Sequence, residues 1–171
     1  MTERMGVITL KGNSVTLVGD ELKVGDTAPD ATVLDNALNP VGLSSFRGKV
    51  CVICAVPSLD TPVCDMETRR FNQEAAALGE NVRVLVISTD LPFAQKRWCG
   101  AAGVANVQTL SDHRETAFGR EYGVLIQELR LLARAVFVVD AKGVVQYVEI
   151  VKEVAEEPDY KAILDAVRNL V

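Results

Sequence analysis

Hydrophobic positions along this chain change their period several times, and each change predicts an element. Residues 7–10 and 15–18 flank Lys11-Gly12-Asn13-Ser14, the pattern of a hairpin with a glycine-containing turn. Gly25-Asp26-Thr27-Ala28-Pro29-Asp30 reads as a loop, and 31–34 as a short strand. Residues 49–56 form a continuous apolar run, expected of a strand buried on both faces. Beyond it Val63, Met66, Phe71, Ala75 and Leu78 recur at mostly helical spacings, and Gly79 supplies a stop. A second buried strand is predicted over 82–88, a short helix over 92–100, an edge strand over 107–110 and another short helix over 115–122. Residues 133–139 and 144–150 bracket Asp140-Ala141-Lys142-Gly143, an antiparallel hairpin signal. Pro158 opens a last helix whose Tyr160, Ile163, Leu164, Val167 and Leu170 share one face. Strands alternating with helices, then a hairpin and a closing helix, predict an α/β fold: a mixed central sheet flanked by helices, with an N-terminal β-hairpin. Without repeats, low-complexity stretches or linkers, the organisation reads as one domain over 1–171, with 1–19 as the hairpin extension.

Composition narrows the function classes. The chain has 171 residues, 49% of them hydrophobic, enough for a real core. A net charge of −5 argues against a nucleic-acid surface, and Arg69-Arg70 and Lys96-Arg97 are pairs, not patches. No apolar run approaches the ~20 residues of a membrane span. The start, Met1-Thr2-Glu3-Arg4-Met5-Gly6, lacks the apolar core of a signal peptide, so a reducing cytoplasmic setting is expected. One histidine, His113 in a polar stretch, and four cysteines offer no zinc-type spacing, and no glycine-rich phosphate cradle is present. Neither a metal nor a cofactor is expected.

The chemistry gathers at Pro57-Ser58-Leu59-Asp60-Thr61-Pro62-Val63-Cys64. Thr61 suits the N-cap and Pro62 the first helical position, which places Cys64 in the first turn. A helix start carries unpaired N–H groups and partial positive charge, so it favours the thiolate that makes cysteine a nucleophile. Asp65 and Glu67 suit the helix dipole but oppose a thiolate, so a cation must come from elsewhere in the chain. Cys51 and Cys54 form a C-x-x-C, yet three strand steps separate them by ~10 Å and turn them to opposite faces. A disulfide needs Cα atoms within about 7 Å, so both read as small core residues. Cys99 follows Gln95-Lys96-Arg97-Trp98 and precedes Gly100, a context that suggests accessibility and a favourable field. Arg134 enters an apolar strand, where a charge must snorkel, pair or serve a site.

These residues resemble the peroxiredoxins, within them the thiol peroxidase branch with both reacting cysteines in one chain. Pro57-x-x-x-Thr61-x-x-Cys64 matches the family motif at all four defining positions. Arg69-Arg70-Phe71-Asn72, Leu91-Pro92-Phe93-Ala94-Gln95, Arg97-Trp98-Cys99-Gly100, Ala133-Arg134-Ala135-Val136 and Glu157-Pro158-Asp159-Tyr160 extend the likeness over nearly the whole chain. The resemblance implies a thioredoxin-like fold, usually a homodimer, reducing hydrogen peroxide and organic hydroperoxides with thioredoxin as electron donor. It implies Cys64 as the peroxidatic cysteine and Cys99 as the resolving one, joined in an intramolecular disulfide after a Cys64 sulfenic acid forms. Thr61 would hydrogen-bond thiolate and peroxide, Arg134 would supply the missing cation, and Pro57 would shield the pocket. Because the two cysteines start on different predicted helices, closing the disulfide requires local unwinding of one or both. The chain departs from the branch over 124–132, where Leu125-Ile126-Gln127-Glu128-Leu129-Arg130-Leu131-Leu132 could line a substrate pocket, form a dimer contact or pack the core. A thiol–disulfide relay on the same fold would need a C-x-x-C at the helix start, where this chain has Thr61. An interaction module would leave the capped thiol unexplained.

Overall fold

The computed structural model describes residues 1–171. Strands β1 (Glu3–Leu10) and β2 (Asn13–Val18) form the N-terminal hairpin. Its turn is tighter than the sequence suggests: Lys11 and Gly12 both take positive φ, 50° and 79°. That is the pattern of two-residue turns whose twist matches the strands they join. Strands β3 (Thr32–Leu34) and β4 (Pro40–Gly42) follow, then a 3-10 turn, Leu43–Phe46. Next come β5 (Val50–Ala55), helix α1 (Pro62–Leu78), β6 (Val82–Ser88), α2 (Pro92–Ala102) and β7 (Gln108–Ser111). Helix α3 (Ala117–Glu121) precedes the short strands β8 (Leu125–Ile126) and β9 (Leu131–Leu132). The chain ends with β10 (Ala135–Val139), β11 (Val145–Ile150) and α4 (Tyr160–Arg168). Asp159, rather than Pro158, starts α4, its carboxylate accepting from the Ala162 amide at 3.0 Å. No helix is long and apolar enough to cross a membrane.

The central sheet has the order β11-β10-β5-β6-β7-β3-β4. β5, β6 and β7 run parallel, and β10 lies antiparallel against β5, so the sheet is mixed as expected. β7 is not an edge strand: β3 pairs beside it through Leu34 and Ser111, and β4 closes that side. The sequence misleads here because β3 lies some seventy positions earlier and is too short to announce its partner.

Alternation along β5 builds two core layers. Cys51, Ile53 and Ala55 face Leu85, Ile87, Phe118, Tyr122 and Phe137. Val50, Val52, Cys54 and Val56 face Phe71, Val136, Ile163 and Val167. Cys51 and Cys54 thus lie on opposite faces as free thiols. Burial pushes the Cys51 thiol up to about 11 and the Cys54 thiol well above its ordinary value, which leaves both unreactive. Helices α1 and α4 cover the Cys54 face. The Cys51 face is covered mostly by a second sheet, β1-β2-β8-β9, which packs Ile8, Leu17, Leu125 and Leu132 into the core. Helix α3 adds Phe118 to that face, so the central sheet is flanked by helices as expected.

The second sheet leaves Gly19 pressed against α3. Its φ is +106°, and a Cβ there would fall 2.0 Å from the Arg120 carbonyl oxygen. Gly12, also at positive φ, faces open space. Gly19→Ala is expected to lose about 2–4 kcal/mol in urea unfolding, because backbone must move. Gly12→Ala, with only its φ to strain, should lose about 1 kcal/mol.

Candidate active site

Pro62 starts α1, and Thr61 sits before it in an extended conformation (φ −95°, ψ 147°). The Thr61 carbonyl accepts from the Asp65 amide at 3.0 Å, as an N-cap carbonyl should. Its hydroxyl does not cap the helix: Oγ1 donates to the Ser58 carbonyl at 2.8 Å. The amides of Val63 and Cys64 are thus left without an acceptor in the protein. Cys64 is fully buried, and its sulfur accepts from Arg134 Nη2 at 3.2 Å. Thr61 makes no bond to that sulfur. Pro57 is buried beside them. The geometry brings Pro57, Thr61, Cys64 and Arg134 together from three segments of the chain.

Arg134 is the largest fully enclosed side chain of this centre, with 2% exposure. It lies one residue before β10 and is spoken for on each nitrogen. Nε donates to the Val154 carbonyl at 2.9 Å, Nη1 to Glu67 Oε2 at 2.5 Å, and Nη2 to the Cys64 sulfur. Glu67 is wholly buried, and its other oxygen, Oε1, has no partner. Burial pushes the Glu67 carboxyl up to about 7 against the pull of Arg134. The sequence alone weighs Glu67 against the helix dipole and the thiolate, not as the partner of the cation. Its spacing held the stronger signal: Cys64, Glu67 and Phe71, three and four residues apart, share the inward face of α1.

The loop before α1 is anchored from β6. Asp90 accepts from the Ser58 hydroxyl at 2.7 Å, the Leu59 amide at 2.8 Å and the Ser88 hydroxyl at 2.7 Å. Ser88 in turn accepts from Gln95 of α2, a fully buried amide, at 3.0 Å. Cys99 lies on α2, half-buried, 3.4 Å from Thr109 Oγ1. All four cysteines are free. His113 is half-buried and takes no part in the centre.

A cavity of about 350 Å³ opens over Pro57, Thr61 and Arg134. Its walls are mostly apolar: Leu10, Val63, Ile126, Leu129, Leu131 and Val154. Residues 124–132 divide between the core and the wall of this cavity. Val124, Leu125 and Leu132 are core, while Leu129 and Leu131 line the cavity and Ile126 does both.

The chain is similar to known proteins over nearly its whole length. The Redoxin family model matches residues 23–164. A thiol peroxidase of Oceanobacillus iheyensis is 61% identical over 160 residues, covering 94% of this chain and 97% of the relative. One from Bacillus subtilis is 57% identical over 167 residues, covering 98% and 99%. Among solved structures, a peroxiredoxin-like protein from Aquifex aeolicus superimposes with a TM-score of 0.91 at 47% identity, covering 98% of this chain and 99% of its own.

Glu67 gives the centre a pH dependence with a defined sign. Between the ordinary value of 4.5 and about 7, the folded protein holds a proton that the unfolded chain has released. Raising the pH through that window lowers the stability contributed by this group, by on the order of 3 kcal/mol in the limit. Glu67→Gln has no such window. Urea unfolding of both proteins across the pH range should show the difference between them moving in favour of the variant as pH rises.

Proposed function

Since the chain belongs to the thiol peroxidase branch of the peroxiredoxins and is a thiol-dependent peroxidase, we propose that Cys64 is the sulfur that attacks the hydroperoxide and Cys99 the thiol that closes the cycle. The observation that carries this reading is the bond from Arg134 Nη2 to the Cys64 sulfur at the base of an apolar cavity. A guanidinium there favours the thiolate and remains to stabilise charge on the departing oxygen.

The Cys64 thiolate attacks the terminal peroxide oxygen, and the O–O bond breaks. The S–O bond of a sulfenic acid forms, and the remaining oxygen leaves as water or an alcohol after taking a proton. Arg134, the free amides of Val63 and Cys64, and the Thr61 hydroxyl surround the place where that oxygen develops charge. Thr61 reaches it by turning its hydroxyl away from the Ser58 carbonyl. Pro57 walls the sulfur from bulk water. Cys99 then displaces the sulfenic oxygen as water to give an intramolecular disulfide, which an external dithiol, thioredoxin, reopens by exchange. The closing step requires unwinding at one or both helices.

The apolar walls favour organic hydroperoxides alongside hydrogen peroxide. The free thiols suit a cytoplasmic setting. A homodimer is the proposed assembly, supported by Leu91 and Phe93, apolar side chains more than half exposed at the start of α2.

Peroxide consumption with thioredoxin recycling should vanish in Cys64→Ser and fall to about one stoichiometric event in Cys99→Ser. Full turnover in Cys64→Ser would overturn the assignment. Leu129→Asp, at the cavity wall, is expected to lower kcat/KM for cumene hydroperoxide about tenfold, while hydrogen peroxide is reduced at nearly the wild-type rate. Equal losses on both substrates would count against the cavity as the organic binding site.

A further inference from the structure

The residue after Cys64 and the residue before Cys99 are bonded to each other. Trp98 Nε1 donates to Asp65 Oδ1 at 2.8 Å. Arg69 braces the pair: its Nε donates to Asp65 Oδ2 at 2.9 Å, and its guanidinium lies 5.7 Å from the centre of the Trp98 ring. Arg69 Nη1 also reaches the Ala102 carbonyl near the end of α2 at 3.3 Å. These three side chains tie the first two turns of α1 to the second half of α2.

The tie determines where Cys99 points. Successive helical residues project about 100° apart, so while Trp98 faces Asp65, Cys99 is turned elsewhere. Its sulfur lies against Thr109, in a hollow lined by Asn36, Val104 and Val107. The Cys64 centre lies under a different cavity, and the two hollows share no residue. Rotating Cys99 towards Cys64 displaces Trp98 from Asp65.

We infer that the Trp98–Asp65 bond is a latch that sets how fast Cys99 reaches the Cys64 sulfenic acid, and hence how much of that acid is lost to further oxidation. The inference rests on the two-cysteine reading above. Two steps compete for one intermediate. In closure, the Cys99 thiol and the sulfenic acid give a disulfide and water. In over-oxidation, a second hydroperoxide transfers an oxygen to the sulfenate, giving a sulfinate and an alcohol or water. Asp65, Arg69 and Trp98 touch no reacting atom and are positioning residues. By holding the helices closed, they slow the first step and leave the second unaffected.

Trp98→Phe removes the N–H donor and keeps an aromatic ring beside Arg69. Rapid quenching with mass analysis, after one equivalent of hydrogen peroxide and then after excess, separates the three rates. Closure should quicken about 3- to 10-fold, the range expected for one lost hydrogen bond at a partly exposed site. The sulfinate fraction should fall in proportion, with the first oxidation of Cys64 within about twofold of wild type. Asp65→Ala should give the same acceleration, and adding it to Trp98→Phe should give no more, whereas general loosening of α2 would make the two effects add. Unchanged or slower closure in Trp98→Phe, or full additivity, overturns the latch. A wild-type protein that forms no Cys64–Cys99 disulfide overturns the two-cysteine reading and the latch together.

Discussion

One buried guanidinium organises this protein. Removing a cation from water is tolerable only when it is paired and hydrogen-bonded, and Arg134 places one bond on each of its three nitrogens with groups from separate parts of the chain. The Val154 carbonyl fixes the segment after β11, Glu67 fixes the second turn of α1, and the Cys64 sulfur takes what remains. The nucleophile is therefore a structural partner of the cation as well as its chemical beneficiary. Glu67 completes the balance from inside. Its burial raises its proton affinity to the neutral range, so the charge it sets against Arg134 varies across that range.

Much of this was legible in the sequence because the signals were local. A proline at the first helical position, a threonine before it and a thiol two residues after describe one turn of backbone, and that turn is present at α1. The apolar runs at β5 and β6 mark strands buried on both faces, and their alternation correctly separates Cys51 from Cys54. What escaped was set by distant partners. Thr61 fits the cap position in its backbone, but its hydroxyl bonds Ser58 instead, a choice between two nearby acceptors that composition does not express. The second sheet depends on strands two residues long, which have no period to detect. Asp90 and Ser88 read as an ordinary strand end until Ser58 and Gln95 are found against them.

The thioredoxin-like fold accounts for the placement of the chemistry. β5 and β6 are parallel neighbours whose C-terminal ends lead respectively to the Cys64 loop and to Asp90. The C-terminal ends of two central strands thus carry both the nucleophile's loop and the carboxylate that holds it. The same polar cluster reaches Gln95, four residues before Cys99 on α2. Rigid support below and helical ends above leave the moving parts at the surface and their anchor in the sheet.

The N-terminal hairpin stands outside residues 23–164, the part of the chain that the Redoxin family shares. Its tip nevertheless supplies Leu10 and Lys11 to the rim of the cavity over Cys64. One side of that cavity is therefore contributed from outside the shared region, and Ile126, Leu129, Leu131 and Val154 close the rest from within it. The same hairpin also reaches the guanidinium: the Thr9 carbonyl accepts from the Val154 amide at 2.9 Å, and the Val154 carbonyl accepts from Arg134 Nε at 2.9 Å. A change in the extension is thus carried to the buried cation through the backbone of one residue, and the hairpin acts as a lever on the centre it stands beside.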